Sequence, residues 1–198
     1  MMFFKNKYKK ANDEKLMQWI CSGDSKAFDT LYERYSKRML HYFYRMLGKN
    51  EEKAQDFLQD LFLKVVEKPH LFDDKRRFST WIFTLAANMC KNEYRRLEVR
   101  RNGSTYIGDF NATADDIVLP RIDRQMDCKA FETLLYEELS QMNDTKQTPF
   151  LLRYQEHFSI KEISQTMNCS EGTVKSRLFY ITKSLAQNLE VYNPSFQH

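Results

Sequence analysis

The chain has few residues that interrupt regular structure, and it has no long apolar run. Five glycines and four prolines among 198 residues fall well below the roughly 12% of average usage, which favours helices over turn-rich folds. The longest apolar stretch, TWIFTLAANMC, is shorter than the ~18 residues of a spanning helix. The N-terminal MMFFKNKYKKAN has too few apolar residues before its lysines for a signal peptide. The sequence therefore predicts a cytoplasmic protein with no membrane insertion.

Paired cysteines and clustered histidines are also missing. The four cysteines form no C-x-x-C pair, which argues against a zinc ribbon or a disulfide framework, and we expect buried thiols. They are Cys21, Cys90, Cys128 and Cys169. The four histidines are scattered, and no E-x-x-H accompanies any acidic pair, as it does in helical metal sites. We therefore expect no metal, no cofactor and no catalytic residues.

Helical periodicity dominates the sequence that remains. Gly23 and Gly48 bracket an apolar pattern with helical spacing, and Gly48 fits the position just past a helix end. A second helix is predicted from Glu51 to Lys68, where Pro69 stops it. Its apolar stripe is Ala54, Leu58, Leu61, Phe62 and Val65.

A third helix is predicted to begin near Ser79 and to continue without a breaker until Gly103. Residues 101–128 are rich in glycine, serine, asparagine and aspartate, which predicts a flexible linker. Helical patterning resumes at Lys129. The predicted fold is all-α, with two small helical domains at residues 12–100 and 129–190 joined by the linker.

The C-terminal region carries the signature of a helix-turn-helix. Ser159 and Glu162 form a capping box, and Ser170 caps the next helix after a two-residue turn. Its apolar seam is Val174, Leu178, Ile181 and Leu185. The opposite side and its flanks carry polar, aromatic and cationic residues: Gly172, Thr173, Lys175, Ser176, Arg177, Phe179, Tyr180 and Lys183.

Gly172 is unusual in the first turn of a helix, where glycine is unfavourable by about 0.5–1 kcal/mol relative to alanine. A glycine there lets a phosphate or a base edge approach the backbone N–H groups at the positive end of the helix dipole. The alternative is that the glycine relaxes a tight turn and that the polar side is only solvated. The cap, the turn and the cations together favour DNA binding.

Two helices of the N-terminal half also carry candidate surfaces. Asp56 and Asp60 lie four residues apart with Gln59 beside them, which fits either a cationic partner or a solvated acidic face. In the third helix a buried stripe is predicted, consisting of Phe78, Ile82, Leu85 and Met89, and Thr84, Asn88, Lys91 and Arg95 lie on another side. Before it, HLFDDKRRFSTW mixes aromatic and charged residues, as at sites that hold unstacked bases.

Four blocks of the chain together resemble bacterial sigma factors of the small extracytoplasmic-function group (group 4) of the sigma-70 family. They are AFDTLYERY (27–35), AQDFLQDLFLKV (54–65), FSTWIFTLAANMCKNEYRR (78–96) and SIKEISQTMNCSEGTVKSRL (159–178). They occur in the family's order and spacing, and the resemblance covers residues 15–188.

This resemblance implies a non-enzymatic initiation subunit whose partners are core RNA polymerase and promoter DNA. Domain two would bind the clamp helices of the polymerase and help to melt the minus-ten element, holding the non-template strand. Domain four would bind the duplex minus-thirty-five element, and the linker would thread toward the polymerase active centre. Such proteins are often held inactive by an anti-sigma protein, which is a further implied partner.

The resemblance also assigns site residues by position. The polymerase-binding set is Asp56, Gln59, Asp60 and Phe62. The minus-ten set is His70, Asp73, Lys75, Arg76, Trp81, Asn88, Lys91 and Arg95, with the loop from His70 to Arg77 capturing a flipped base. The minus-thirty-five set is Glu171, Gly172, Thr173, Lys175, Ser176, Arg177 and Tyr180.

Three departures from the family pattern affect these assignments. Ala87 replaces an arginine usual beside Asn88, and Asn92 stands where an aspartate is common. After SRL the family tends to continue with a basic HRAR-like segment, whereas this chain has FYIT at residues 179–182. Fewer phosphate contacts should flatten the salt dependence of DNA binding, so we expect weaker backbone anchoring by domain four, or a different partner surface there.

The main rival to this interpretation is a free-standing helix-turn-helix regulator whose N-terminal half is a sensor or dimerisation domain. Such a protein binds duplex DNA tightly by itself, usually as a symmetric dimer on a palindromic site. A sigma factor is expected to bind DNA poorly until core polymerase is added.

Overall fold

The computed structural model describes residues 3–101 and 128–189. These ranges contain nine α-helices and no strand: α1 Phe3–Lys10, α2 Asp13–Cys21, α3 Ser25–Met46, α4 Glu51–Glu67, α5 Phe78–Arg101, α6 Cys128–Ser140, α7 Asp144–Phe150, α8 Ile160–Met167 and α9 Glu171–Asn188. A short 3₁₀ turn at Pro69–Leu71 follows α4, and Leu151–Gln155 continues α7 as a π-helix. The all-α prediction is confirmed. The linker was predicted at 101–128, and its residues 102–127 lie outside the described residues.

Side-chain caps set where most of these helices begin. A side-chain oxygen accepts a hydrogen bond from a first-turn backbone N–H in six helices, which satisfies a donor that has no partner inside the helix. The capping residues are Asn12, Asp24, Asn50, Asn143, Ser159 and Ser170. At the other end of α3, Gly48 adopts a φ of 70° just past the last turn, as predicted.

The N-terminal half is built around α3, which packs against α2, α4 and α5. Its largest fully buried side chains include Tyr42 and Phe43, and the ring of Tyr42 meets Phe83 of α5 edge to face at a centroid distance of 5.5 Å. Helix α1, which the sequence did not predict, joins this packing because the Tyr8 hydroxyl donates to the Asp24 carboxylate at 2.9 Å.

The buried side of α5 differs from the predicted stripe. Phe78 and Ile82 are fully buried as expected, but Leu85 and Met89 are only half-buried. The other fully buried residues of α5 are Phe83, Ala86 and Cys90. The physical reason is that α5 packs against α3 and also against α8 of the C-terminal half, so two partners share its surface.

The C-terminal half packs α7, α8 and α9 together, with α6 against α9. All four residues of the predicted seam are buried: Val174, Leu178, Ile181 and Leu185. Ile181 and Leu185 join Leu139 and Phe150 in a small cluster of their own. Val174 and Leu178 instead belong to the large cluster that also holds the core of the N-terminal half, so the two halves share one apolar interior.

The cysteines are only partly where the sequence placed them. Cys90 is buried, and desolvation raises the pKa of its thiol well above the usual value. Cys169 is half-buried, whereas Cys21 at the end of α2 is exposed, which corrects the expectation of buried thiols.

None of the helices in the described ranges combines the length and apolar character that crossing a bilayer requires.

Candidate protein-binding and nucleic-acid interfaces

The outer side of α4 carries acids and exposed apolar residues together. Asp56, Gln59 and Asp60 are all exposed, and their spacing puts them on one face. Leu63 and Val66 are 54% and 47% exposed and continue this face for the next two turns. Adjacent exposed apolar side chains of this size are typical of a protein-binding surface. We call these five residues the α4 surface.

Phe62 does not share the α4 surface, which corrects its assignment to the polymerase-binding set. Its side chain is only 3% exposed, and its ring packs against Tyr32 at 4.7 Å and Phe28 at 6.0 Å between centroids. The reason is helical periodicity, since residue 62 falls within the buried stripe of α4. Tyr32 of α3 is 41% exposed, and the buried ring of Phe62 packs against its inner side.

The loop before α5 exposes most of the predicted minus-ten residues. His70 is exposed in the 3₁₀ turn, and Lys75 and Arg76 are exposed beyond it. Asp73 has a structural role, because its carboxylate accepts the backbone N–H of Lys75 at 3.1 Å and lies 3.8 Å from the Arg76 guanidinium. The carboxylate therefore shapes the turn that presents the two cations.

Trp81 joins this loop to the polar side of α5. Its half-buried ring lies 5.3 Å from Phe72 and 5.7 Å from Phe78 between centroids. Asn88, Lys91 and Arg95 are exposed at spacings of seven, ten and fourteen residues from Trp81, which places all four on one face of the helix. The structure therefore brings these four predicted residues together. We call them the α5 surface.

Glu93 of α5 is a buried acid, with 6% of its surface exposed. Its carboxylate pairs with Lys53 of α4 at 2.5 Å and with Arg96 at 2.8 Å. Burial acts to raise the pKa of Glu93, but hydrogen bonds from Lys53 and Arg96 outweigh it and the pKa lies below its usual value. Glu93 thus ties α5 to α4, and no sequence pattern indicated this.

The helix-turn-helix forms as predicted. Glu162 accepts the backbone N–H of Ser159 at 2.9 Å, and the Ser159 hydroxyl accepts the N–H of Glu162 at 3.2 Å, which completes the capping box. Asn168 takes the left-handed conformation at the turn, with φ of 48°. The Ser170 hydroxyl then accepts the N–H of Thr173 at 3.0 Å and starts α9.

Gly172 has an ordinary helical φ, and the space around it is open. A Cβ built on Gly172 would meet only the Ser170 Oγ, at 3.7 Å. The positive φ of the turn belongs to Asn168, so Gly172 does not supply the left-handed residue that this turn needs. The open space beside the first turn of α9 remains available to a ligand.

The outward side of α9 is polar at its start and aromatic further on. The exposed members of the predicted set are Glu171, Gly172, Lys175, Ser176 and Tyr180, while Thr173 and Arg177 are half-buried. Thr173 is engaged in the cap, since its hydroxyl lies 2.9 Å from the Ser170 hydroxyl. Phe179 and Tyr180 are 61% and 64% exposed, with their rings in edge contact at 5.4 Å. We call this side the α9 surface.

No group of three or more His, Cys, Asp or Glu side chains in the described ranges is placed to hold a metal ion. An ion pair joins the loop before α5 to the helix-turn-helix, because the Arg77 guanidinium lies 2.5 Å from the Glu162 carboxylate. Burial acts to raise the pKa of Glu162, but hydrogen bonds from Ser159 and Arg77 outweigh it and the pKa falls below its usual value.

Comparison with known proteins identifies the family. The model for Sigma-70 region 2 matches residues 31–100, and that for Sigma-70 region 4 matches residues 132–180. Together they match more than half of the chain.

Full-length relatives agree with these matches. The chain is 27% identical over 182 residues to the ECF RNA polymerase sigma factor SigW of Bacillus subtilis, which covers 89% of this chain and 96% of SigW. It is 25% identical over 185 residues to the ECF RNA polymerase sigma-E factor of Haemophilus influenzae, covering 90% and 95%.

A solved structure shows the same fold. The sigma factor RpoE of Bartonella quintana, in complex with the anti-sigma factor NepR, matches with a TM-score of 0.63 and 20% identity over 85% of this chain and 99% of that one. With both regions present in order and the relatives matched over nearly their whole length, the chain belongs to the extracytoplasmic-function (ECF) sigma factors of the sigma-70 family.

Proposed function

We propose that this sigma factor directs core RNA polymerase to its promoters through three separate surfaces, one for the polymerase and two for DNA. The observation that carries the proposal is their different chemistry. The α4 surface combines carboxylates with apolar side chains, whereas the α5 surface carries the exposed cations Lys91 and Arg95 and the α9 surface carries the exposed Lys175. A single DNA-binding module has no need of an acidic and apolar face.

The α4 surface is the proposed site for the polymerase. Its apolar residues, Leu63 and Val66, lose water when covered by a partner, which favours association by about 25 cal/mol per Å² of apolar area. Asp56 and Asp60 repel each other in the free helix, and a cationic partner would relieve this. Phe62 contributes from within by supporting Tyr32.

The loop at residues 70–77 and the α5 surface are the proposed site for the melted minus-ten element. A half-buried indole backed by two phenyl rings offers a flat face on which a flipped base can stack. Lys91 and Arg95 follow along the same face, where they would neutralise phosphates of the single strand. With Ala87 and Asn92 in place of the residues usual in the family, this site has fewer charged groups than the family pattern.

The α9 surface is the proposed site for the duplex minus-thirty-five element. The first turn offers free backbone N–H groups beside the open space at Gly172, which suits a phosphate or a base edge. Further along the helix, Phe179 and Tyr180 replace basic residues with apolar rings. Apolar side chains in the major groove contact the methyl group of thymine. This part of α9 would therefore favour sites that contain thymine and would add little to the contacts with backbone phosphates.

The protein is proposed to act without catalytic groups of its own and in the cytoplasm, where polymerase and promoter are found. A further proposed partner is an anti-sigma protein, since the RpoE structure of Bartonella quintana contains one. Such a protein would cover the α4 surface, the α9 surface or both. The stand-alone regulator is not favoured, because both sigma regions are present in order.

Asp60→Lys tests the polymerase site. It reverses a charge at the centre of the α4 surface, so we expect co-purification with core polymerase to fall at least tenfold. Glu33→Lys is the matched control, because Glu33 is exposed on α3 away from its buried side and the charge change is identical. Circular dichroism should show the same helix content for both. Undiminished recovery of polymerase by Asp60→Lys would refute the assignment.

A further inference from the structure

The first two helices carry an excess of positive charge that none of the three proposed surfaces uses. Residues 3–26 contain six lysines and three acids. Lys7 and Lys10 lie three residues apart on α1 and therefore share one face, and Lys15 lies in the first turn of α2. All three side chains are exposed. Clustered exposed cations are the electrostatic footprint of a nucleic-acid-binding surface.

The acids of this region are bound within the fold and leave the three lysines without carboxylate partners. Asp13 pairs with the guanidinium of Arg34 at 2.5 Å, and Asp24 caps α3. Glu14 accepts the first backbone N–H of α5 at 2.9 Å. In the described ranges no ion pair involves any of the three lysines. The charge of Lys7 acts at longer range on Asp24, so the other two lysines are the least compensated.

Trp19 of α2 brings the cations of the two helices together. Its half-buried ring meets the ring of Tyr8 edge to face, at 5.5 Å between centroids. The Lys7 ammonium lies 4.4 Å from the centroid of the Trp19 ring, and the Lys15 ammonium lies 6.0 Å from it. An ammonium is attracted to the face of an indole, so the ring holds both ammonium groups near each other. This reduces the entropy that they lose when an anion binds.

Helix α1 has a fixed position although it is short. A helix of eight residues is too short to be stable alone in water. Arg34 of α3 donates to the backbone carbonyls of Tyr8 and Lys9, at 3.2 and 2.9 Å, at the end of α1 where carbonyls have no partner inside the helix. The Tyr8 hydroxyl also donates to the Asp24 carboxylate. The cations of α1 are therefore presented by a helix that is anchored on α3.

Gln18 connects the cations of α2 to the loop at residues 70–77. Its side-chain carbonyl accepts a hydrogen bond from the Lys15 ammonium at 3.1 Å, and its amide group donates to the Asp74 carboxylate at 3.4 Å. Helix α2 also contacts the 3₁₀ turn of this loop. The cations of the α5 surface lie about 20 Å farther along that helix. One group of cations therefore lies along α5, and the other lies beside the loop from which α5 starts.

We propose that Lys7, Lys10 and Lys15 form the α1–α2 strip, a surface that binds phosphates of the non-template single strand where this strand continues past the loop at residues 70–77. The identity of the strand rests on the proposed function. A single strand is favoured over a duplex, because the strip adjoins the loop that holds a flipped base and has an aromatic ring between its cations, as single-strand surfaces do. Contacts with phosphates add affinity without reading the sequence, and they weaken as the salt concentration rises.

Lys10→Gln/Lys15→Gln tests the strip in the full-length chain, with a fluorescein-labelled oligothymidylate as the probe. Anisotropy titrations at several salt concentrations give the slope of log K against log salt. Loss of two phosphate contacts should flatten this slope by about 1.4 and weaken binding at ~0.1 M salt by about 25-fold. Adding Lys7→Gln should flatten the slope by about 0.7 more. Lys37→Gln/Lys146→Gln removes the same charge from exposed positions on α3 and α7 and should leave the slope unchanged.

Three results would overturn the strip. The first is a wild-type slope in the Lys10→Gln/Lys15→Gln chain with its helix content intact by circular dichroism. The second is an equal flattening in the control pair, which would show that net charge alone sets the affinity. The third is a flattened slope with a duplex of the same length and not with the single strand. The measurement needs no polymerase, so a chain that fails to bind polymerase would refute the proposed function and leave the phosphate contacts standing.

Discussion

Replacing Gly172 by alanine should stabilise the protein and weaken its binding to DNA. In the free chain the added methyl group meets nothing closer than 3.7 Å, and the backbone φ is already helical. The substitution therefore introduces no strain. Alanine is favoured over glycine in a helix by about 0.8–1 kcal/mol, and the first-turn position should retain at least half of this. For a cooperative unit of this size the melting temperature should rise by about 1–4 °C.

In the complex the same methyl group occupies the space that the phosphate or base edge would need beside the N–H groups of the first turn. Loss of one such contact, at about 1.4 kcal/mol, corresponds to a tenfold decrease in affinity. We expect this decrease for holoenzyme on a promoter that depends on its minus-thirty-five element, and little change on a promoter in which that element is scrambled.

The assays are differential scanning calorimetry of the free chain and filter binding of reconstituted holoenzyme at one fixed salt concentration. Gln187→Ala is the control, because Gln187 is exposed near the C-terminal end of the same helix. Wild-type DNA affinity in Gly172→Ala would show that nothing approaches the backbone there. A lowered melting temperature would show that the added methyl group clashes with its neighbours, contrary to the open space beside Gly172.

Three further perturbations test the core, the α4–α5 link and the aromatic end of α9. Val174→Asp puts a charge at a fully buried position and should cost more than about 4 kcal/mol; melting that stays at the wild-type temperature would contradict the seam. The pKa of Glu93 is lowered in the folded chain, so the ionised carboxylate stabilises the fold at pH values above its ordinary pKa of 4.5, and this stabilisation is lost as the pH falls below that value. Glu93→Gln should therefore lower the melting temperature at pH 7, and the difference in melting temperature between the variant and wild type should become smaller in acid. Replacing thymine by uracil in the minus-thirty-five element removes only methyl groups and should weaken binding by wild type more than by a Phe179→Ala/Tyr180→Ala variant; equal losses would argue against contact with these rings.

Local features of the fold could be predicted from the sequence because they depend on neighbours within a few residues. The capping box at Ser159, the cap at Ser170 and the glycine after α3 are set by hydrogen bonds within one turn of chain. The four-residue seam of α9 follows from helical spacing alone. These elements needed no knowledge of what lies across the core.

Features that depend on distant partners could not be predicted. The buried side of α5 is shared between α3 and α8, so a single apolar stripe describes it poorly. Glu93 looks like a surface acid until Lys53 of another helix is placed beside it. The family pattern placed Phe62 outward, although periodicity alone put it in the buried stripe. For Leu63 and Val66 a signal was present, since both are apolar and lie off that stripe.

The apolar interior shared by the two halves affects how this protein can be dissected. In a fragment containing only residues 128–189, the side chains of Phe158, Leu152 and Ile163, which are buried in the intact chain, would be exposed to solvent. In a fragment ending at residue 101, Phe83 would be exposed in the same way. Each fragment would expose an apolar surface that the other half covers in the intact chain, so each fragment should self-associate unless polar substitutions are made on that surface. Measurements on isolated fragments would then report fragment oligomers, and the intact chain is the unit on which binding should be measured.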